Sequence, residues 1–287
     1  MTTIAVLADV HGNVPAFEAV LDDALRRSPD EVLLAGDLVG RGPQGAAVVE
    51  MAGRLGWRGV RGNHEDYLLA FRRGDVPDHW LREPEWSAAR WMAEELGAGG
   101  ERAVARLPLG LVSRASPEVR VVHGSPCSNQ EGIGRWTGHA RLREHLAAIR
   151  EQVLVCAHTH RPLVKRVDGR LIVNTGSVGL PFDGDWHARY ALLRRRANRW
   201  DVEHRRVAWD RERLLTTYRD SGFLDAGGIT ARLLELEVRT ARSQLVPFLD
   251  WAHASGRAVD GRALAEWTAQ RGHDGCRAWS VGKGVEA

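Results

Sequence analysis

Asp9-Val10-His11 and His158-Thr159-His160 each place two metal-type ligands two residues apart, and Asp37, Asn63 and His123 lie between them. Carboxylate, imidazole and amide donors without sulfur suit Mn, Fe, Zn or Co rather than a soft-metal site. Seven donors are too many for one tetrahedral zinc. Two ions sharing a bridging carboxylate would use them all, and such a pair clamps the attacking and leaving oxygens of an in-line phosphoryl displacement. A lone Asp-x-His pair says little; the ordered set carries the reading.

The elements that must position these residues are legible. Thr3 to Ala8 is a near-continuous apolar run, as in a strand buried on both faces. Helical spacing follows at Val14, Phe17, Val20, Leu21 and Leu25, stopped by Ser28-Pro29. Glu31–Ala35, Trp57–Val60, Val119–Val122 and Val153–Ala157 read as further strands, and 46–55 as a helix with Pro43 in its first turn. The alternation predicts an α/β domain with a largely parallel start. Every candidate ligand follows a strand, so five segments deliver ligands to one edge of one sheet, where open α/β sheets bind. At a strand end, residues i and i+2 point to the same side, which would let Asp9 converge with His11 and His158 with His160. Glycines beside the ligands allow tight turns.

Residues 65–107 read as helical, with breaks near Gly74–Pro77 and Gly97–Gly100. The stretch 75–115 is taken as a helical insertion. Asp168-Gly169 marks a two-residue hairpin, and 189–194 and 200–207 are closing strands. The division expected is a catalytic domain over 1–209 and a helical C-terminal extension over 210–287. The longest helix would span 229–250 and be ended or kinked by Pro247, with a Gly-rich, disordered tail after Gly272.

Composition narrows the class. At 287 residues with 44% hydrophobic content, a sizeable core is available. The +3 charge is a small excess spread over the chain, which disfavours long nucleic acid as partner. Cys127, Cys156 and Cys276 form no disulfide pattern. With no signal peptide and no apolar run long enough to span a bilayer, the expectation is a soluble cytoplasmic protein without a membrane partner.

The series Asp9-Val10-His11, Gly36-Asp37, Gly62-Asn63-His64-Glu65, His123-Gly124 and His158-Thr159-His160 resembles the calcineurin-like metallophosphoesterases. The stretch 36–42 followed by Gly-Asn-His-Glu is similar to the phosphoprotein-phosphatase branch, whereas 122–126 and 173–181 look like small prokaryotic members. The resemblance covers about residues 3–190. It implies two packed mixed β-sheets flanked by helices. It also implies two metal ions, with manganese placed first and Fe, Zn or Co as alternatives. Asp9, His11 and His160 would hold one ion, Asn63, His123 and His158 the other, and Asp37 would bridge. A hydroxide between the ions would attack phosphorus. His64 would protonate or stabilise the leaving oxygen, and Arg41 would bind phosphate.

Two positions depart from the family. Gly40 stands where the phosphoprotein phosphatases carry an Asp that partners the catalytic His, leaving His64 with another partner such as Glu65 or Asp66, or with none. Ala157 stands where Gly is usual. The expected activity is a phosphatase on phosphomonoesters or small nucleotides; the alternatives are a phosphodiesterase and a catalytically silent scaffold. Trp80, Trp86 and Trp91 are read as packing of a helical cap rather than a lid over a base. Cys156 is read as a buried structural thiol. Arg135 and Trp136 are candidates for substrate contact. The remaining histidines are read as structural or surface residues.

Overall fold

The computed structural model describes residues 2–197 and 199–273. The expected tail after Gly272 lies almost wholly outside them. The chain runs β1 (Thr3–Leu7), α1 (Val14–Leu25), β2 (Glu31–Leu34), α2 (Gly45–Arg54), β3 (Arg58–Gly59) and α3 (Asn63–Arg73). A 3-10 turn at Pro84–Trp86 leads to α4 (Ser87–Ala105), β4 (Gly110–Val112), β5 (Val119–Val122), α5 (His139–Ala147) and β6 (Val153–Cys156). Then come β7 (Leu163–Val167), β8 (Arg170–Asn174), β9 (Ala188–Arg196), β10 (Arg199–Val207), α6 (Arg211–Asp220), α7 (Phe223–Thr240), α8 (Leu245–Ala254) and α9 (Gly261–His273).

Two mixed sheets form, with strand orders β10-β9-β1-β2-β3 and β4-β5-β6-β8-β7. The alternation of side chains explains the continuous apolar strands. Ile4, Val6 and Ala8 meet Val119, Val121, Val153, Val155 and Val173 between the sheets. Ala5 and Leu7 face the helical layer instead, among Phe17, Val20, Val48, Leu96 and Leu234. On the far side of the second sheet, Leu154, Cys156 and Ile172 pack under Leu142 and Leu146 of α5. The fold is thus helix, sheet, sheet, helix.

Several boundaries differ from expectation. The ligand-bearing strands are split between two sheets, not one, because β5 and β6 pair with β8 and β4 rather than with β1 to β3. The 75–115 stretch ends in a strand, β4, whose three residues are too few to show a period. α5 escapes sequence patterning because its buried residues number only Leu142, His145 and Leu146. Pro43 precedes α2 rather than opening it, since Gln44 occupies the cap position. The long C-terminal helix breaks at Ala241, in left-handed conformation, and Pro247 falls in the first turn of α8. There a missing N–H costs nothing.

Glu95 of α4 accepts from the backbone N–H of Ala46 at 3.2 and 3.1 Å and so caps α2. Burial pushes its pKa up to about 7, against the N–H groups of Ala46 and Gly45, which lower it. A carboxyl with a raised folded-state pKa binds more protons folded than unfolded, so stability falls as pH rises from about 4.5 to 7. Glu95→Gln removes this loss. The melting-temperature difference between variant and parent is expected to move in the variant's favour from pH 5 to pH 8, by the equivalent of ~1–2 kcal/mol. A difference independent of pH would refute it.

Candidate active site

The seven candidate ligands meet where the carboxyl ends of the two sheets face each other. Strand alternation does not aim them. Asp9, His11, Asp37, His158 and His160 all lie past their strands with φ between 52° and 66°, as does Arg41 at 60°. Left-handed backbone costs a non-glycine residue roughly 1–2 kcal/mol, so the surroundings must hold it. They do so through backbone bonds. Asp9 N donates to Gly36 O at 3.1 Å, His11 N to Asp37 O at 3.0 Å and Gly12 N to Leu38 O at 2.9 Å, extending the β1–β2 pairing into the loops. Ala157 N donates to His123 O at 2.7 Å and joins the other two.

Three residues that the sequence reading did not single out in these roles fasten this frame. Glu65, fully buried, accepts from Gly62 N at 2.7 Å, Leu38 N at 2.7 Å and Asp37 N at 2.9 Å. Burial, then the nearby Asp37, pushes its pKa up to about 7. Asn174 donates to Ala157 O at 2.6 Å and Thr159 Oγ1 at 3.0 Å, pinning the His158–His160 loop. Ser177 donates to Asp9 O at 2.8 Å. These roles explain the Asn-Thr-Gly-Ser string at 174–177, which sequence alone gave only as a likeness.

Two groups of donors could each hold a metal ion: Asp9, His11, Asp37 and His160, and Asp37, His123 and His158. Asp37 is common to both. Asn63 Oδ1 joins the second, 3.0 Å from His123 Nε2 and 2.9 Å from His158 Nδ1. The donor chemistry fits cations. Both oxygens of Asp9 are buried without a hydrogen-bond partner, and a buried carboxylate left so is costly unless a positive charge meets it. The imidazoles are set as ligands: Nδ1 of His11 meets Val39 O at 3.2 Å, Nδ1 of His123 meets Ala35 O at 2.8 Å, and Nδ1 of His160 meets Leu180 O. A carbonyl there holds the proton on Nδ1 and turns Nε2 toward the cluster, where it serves as a donor to a cation when it carries no proton. His11 Nε2 and His160 Nε2 accordingly stand 3.1 Å apart.

Burial lowers the pKa of His11 and His158 to about 4 and holds His160 and His64 well below the usual imidazole range. Burial likewise raises Asp9. His123 and Asp37 form an ion pair at 3.2 Å. Burial opposes charge on both, but their attraction outweighs it, lifting His123 to about 10 and holding Asp37 well below the carboxylate range.

His64 packs edge-on to His11, with ring centres 4.9 Å apart. Its partner is neither Glu65, turned to the backbone, nor Asp66, paired with Arg61 at 2.7 Å. Arg41 Nε donates to His64 Nε2 at 3.2 Å, and Arg41 Nη1 meets Glu237 of α7 at 2.8 Å. Gly40 leaves no room for a partner of its own: with φ 76°, a Cβ there would overlap Nδ1 of the ring and lie 2.8 Å from Cγ. Phe182 stacks on His160 at 4.3 Å and lies 5.6 Å from the Arg41 guanidinium carbon.

The secondary candidates separate. Trp80 and Trp86 stack at 3.7 Å beside Phe71, and Trp91 packs on Phe223, so these tryptophans are packing residues. Cys156 is buried in the core, where burial pushes its thiol far up. Trp136, 53% exposed, lines a surface cavity of about 370 Å³ with Arg135, Arg161 and Pro162. Among the described residues, no helix is long and apolar enough to cross a membrane.

The family model for the calcineurin-like phosphoesterase superfamily domain matches residues 2–197. A solved metallophosphoesterase from Sphaerobacter thermophilus is 28% identical and superposes with a TM-score of 0.68, over 84% of this chain and 100% of that one. An uncharacterised protein of Methanocaldococcus jannaschii is 25% identical over 66% of this chain and 82% of its own. A symmetrical bis(5'-nucleosyl)-tetraphosphatase of Paracidovorax citrulli is 41% identical over 112 residues, 33% of this chain and 40% of that enzyme.

Proposed function

Because this chain belongs to the calcineurin-like phosphoesterase superfamily, we propose that it hydrolyses a phosphomonoester or a small nucleotide at a centre holding two metal ions, manganese first among them. The observation that carries the reading is the buried Asp9 carboxylate, without a hydrogen-bond partner and facing inward-turned histidines, with Asp37 common to both donor groups. Asp9, His11 and His160 would hold one ion, Asn63, His123 and His158 the other, and Asp37 both. When bound, the ions supply Lewis acidity toward phosphate oxygens and a nucleophile drawn from water. The protein's own residues do the rest. Arg41 presents its guanidinium to a phosphate oxygen. His64, held by Arg41, orients toward the leaving oxygen; with its pKa lowered by burial it stabilises the charge there by hydrogen bonding, and would protonate the oxygen only from its charged form. The partial match to a tetraphosphatase supports including dinucleoside polyphosphates in any substrate panel.

The test is turnover of p-nitrophenyl phosphate, bis-p-nitrophenyl phosphate and diadenosine tetraphosphate by metal-stripped protein refilled with Mn, Zn, Co or Mg. Metal-restored turnover with the monoester or nucleotide ahead of the simple diester is the expected result. Diester preference would replace phosphatase by phosphodiesterase; no turnover with any ion would sink the reading. His64→Ala is expected to lower kcat by about 10²-fold, the scale of a lost hydrogen-bond donor to developing charge, with metal content unchanged. Unchanged kcat would remove His64 from the mechanism.

A further inference from the structure

Arg41 is held by a segment that lies beyond the part of the chain matched by the family model. Glu237 of α7 is fully buried, and its Oε2 accepts from Arg41 Nη1 at 2.8 Å. Its other oxygen accepts from the backbone N–H groups of Gln244 at 2.9 Å and Leu245 at 3.1 Å, where α8 begins. Tyr218 of α6 donates to the Arg41 carbonyl at 2.7 Å. The C-terminal helices also reach the opposite wall, where Gly184 N donates to Ala241 O at 3.0 Å, two residues past Phe182.

A guanidinium is a rigid planar fork. With Nε committed to His64 and Nη1 to Glu237, its rotation is fixed. Nη2 has no acceptor among the described residues. The head group also faces a cluster meant for cations, which would repel an unanchored arginine. Glu237 supplies the opposing charge from behind. We propose that Glu237 is a positioning residue of the phosphate site, holding Arg41 so that Nη2 meets a phosphate oxygen. The C-terminal helices thereby belong to the catalytic unit. The inference rests on the phosphoesterase reading for the identity of the anion.

Glu237→Gln tests it, because the amide oxygen still serves Gln244 and Leu245 while the negative charge facing Arg41 is lost. Inorganic phosphate is titrated calorimetrically into full-length, manganese-loaded protein, with melting temperature and metal content as controls. Glu237→Gln is expected to weaken phosphate binding by about 10-fold, to raise KM more than it lowers kcat, and to change nothing further in an Arg41→Ala background. Equal losses in both backgrounds, unchanged or tighter binding, or no phosphate binding by the parent would each overturn the proposal. Should Glu237→Gln fail to fold, Arg41→Lys keeps the charge without the fork. It is expected to lose a similar factor, and undiminished affinity would be equally fatal. If phosphate binding follows the expected pattern but no ester is hydrolysed, the positioning role stands and the hydrolytic reading falls.

Discussion

Asp37→Asn is expected to abolish measurable turnover, a loss on the order of 10³-fold or more, as when one member of a cooperating catalytic set is removed. Asp37 is the residue common to both donor groups, so its charge would serve both ions of the proposed pair. The amide is nearly isosteric. It retains an oxygen for the backbone N–H of His64, which Asp37 Oδ1 accepts at 2.9 Å. The two loops are already in contact, since a Cβ on Gly62 would stand 2.6 Å from Asp37 N. The variant should therefore fold and still fail. Bound manganese, measured by elemental analysis after gel filtration, is expected to fall below the parent's content. Full activity, or an undiminished metal complement, would show that Asp37 does not bridge.

Gly40→Asp would restore the residue that the phosphoprotein phosphatases carry before their arginine, and it is expected to lower kcat/KM by about 10²-fold, the cost of misplacing a reacting group by about 1 Å. Two effects add. The position has φ 76°, and left-handed backbone costs a side chain roughly 1–2 kcal/mol. The new Cβ also overlaps the His64 ring and must push it off its place beside Arg41. Gly53→Ala, in α2 with nothing near its would-be Cβ, is the matched control and is expected to be neutral or slightly stabilising. Higher activity in Gly40→Asp would mean that His64 sits elsewhere during turnover and that this site follows the phosphatase pattern after all.

The candidate ligands were readable because metal chemistry restricts residue type, and because the candidates follow apolar strands that announce themselves. The buried runs at Ile4–Leu7 and Val153–Cys156 are such strands. The split into two sheets was not readable from periodicity: strands buried on both faces look alike whichever neighbour they pair with. It came only with the family likeness. The frame behind the ligands was harder still. Glu65 and Asn174 act through backbone N–H and C=O groups, which have no sequence signature. Glu237 is 196 positions from Arg41 in the chain, in a helix whose pattern marks its apolar face but not its buried acid. The convergence of Asp9 with His11 was expected for the wrong reason, since left-handed turns rather than strand pleating bring it about.

The backbone ladder between the β1 and β2 loops, and the carbonyls that lock three imidazoles, involve no atom that a metal would bind. On the proposed two-metal reading the chain would reach its fold before an ion binds, unlike a zinc finger, where the ion is the fold's main source of stability, and the ion would then relieve the buried Asp9 carboxylate. Such an ion could then leave and another enter without the chain losing its shape. The candidate site is preorganised by the backbone, and its occupancy would be a matter of supply and exchange rate rather than of refolding.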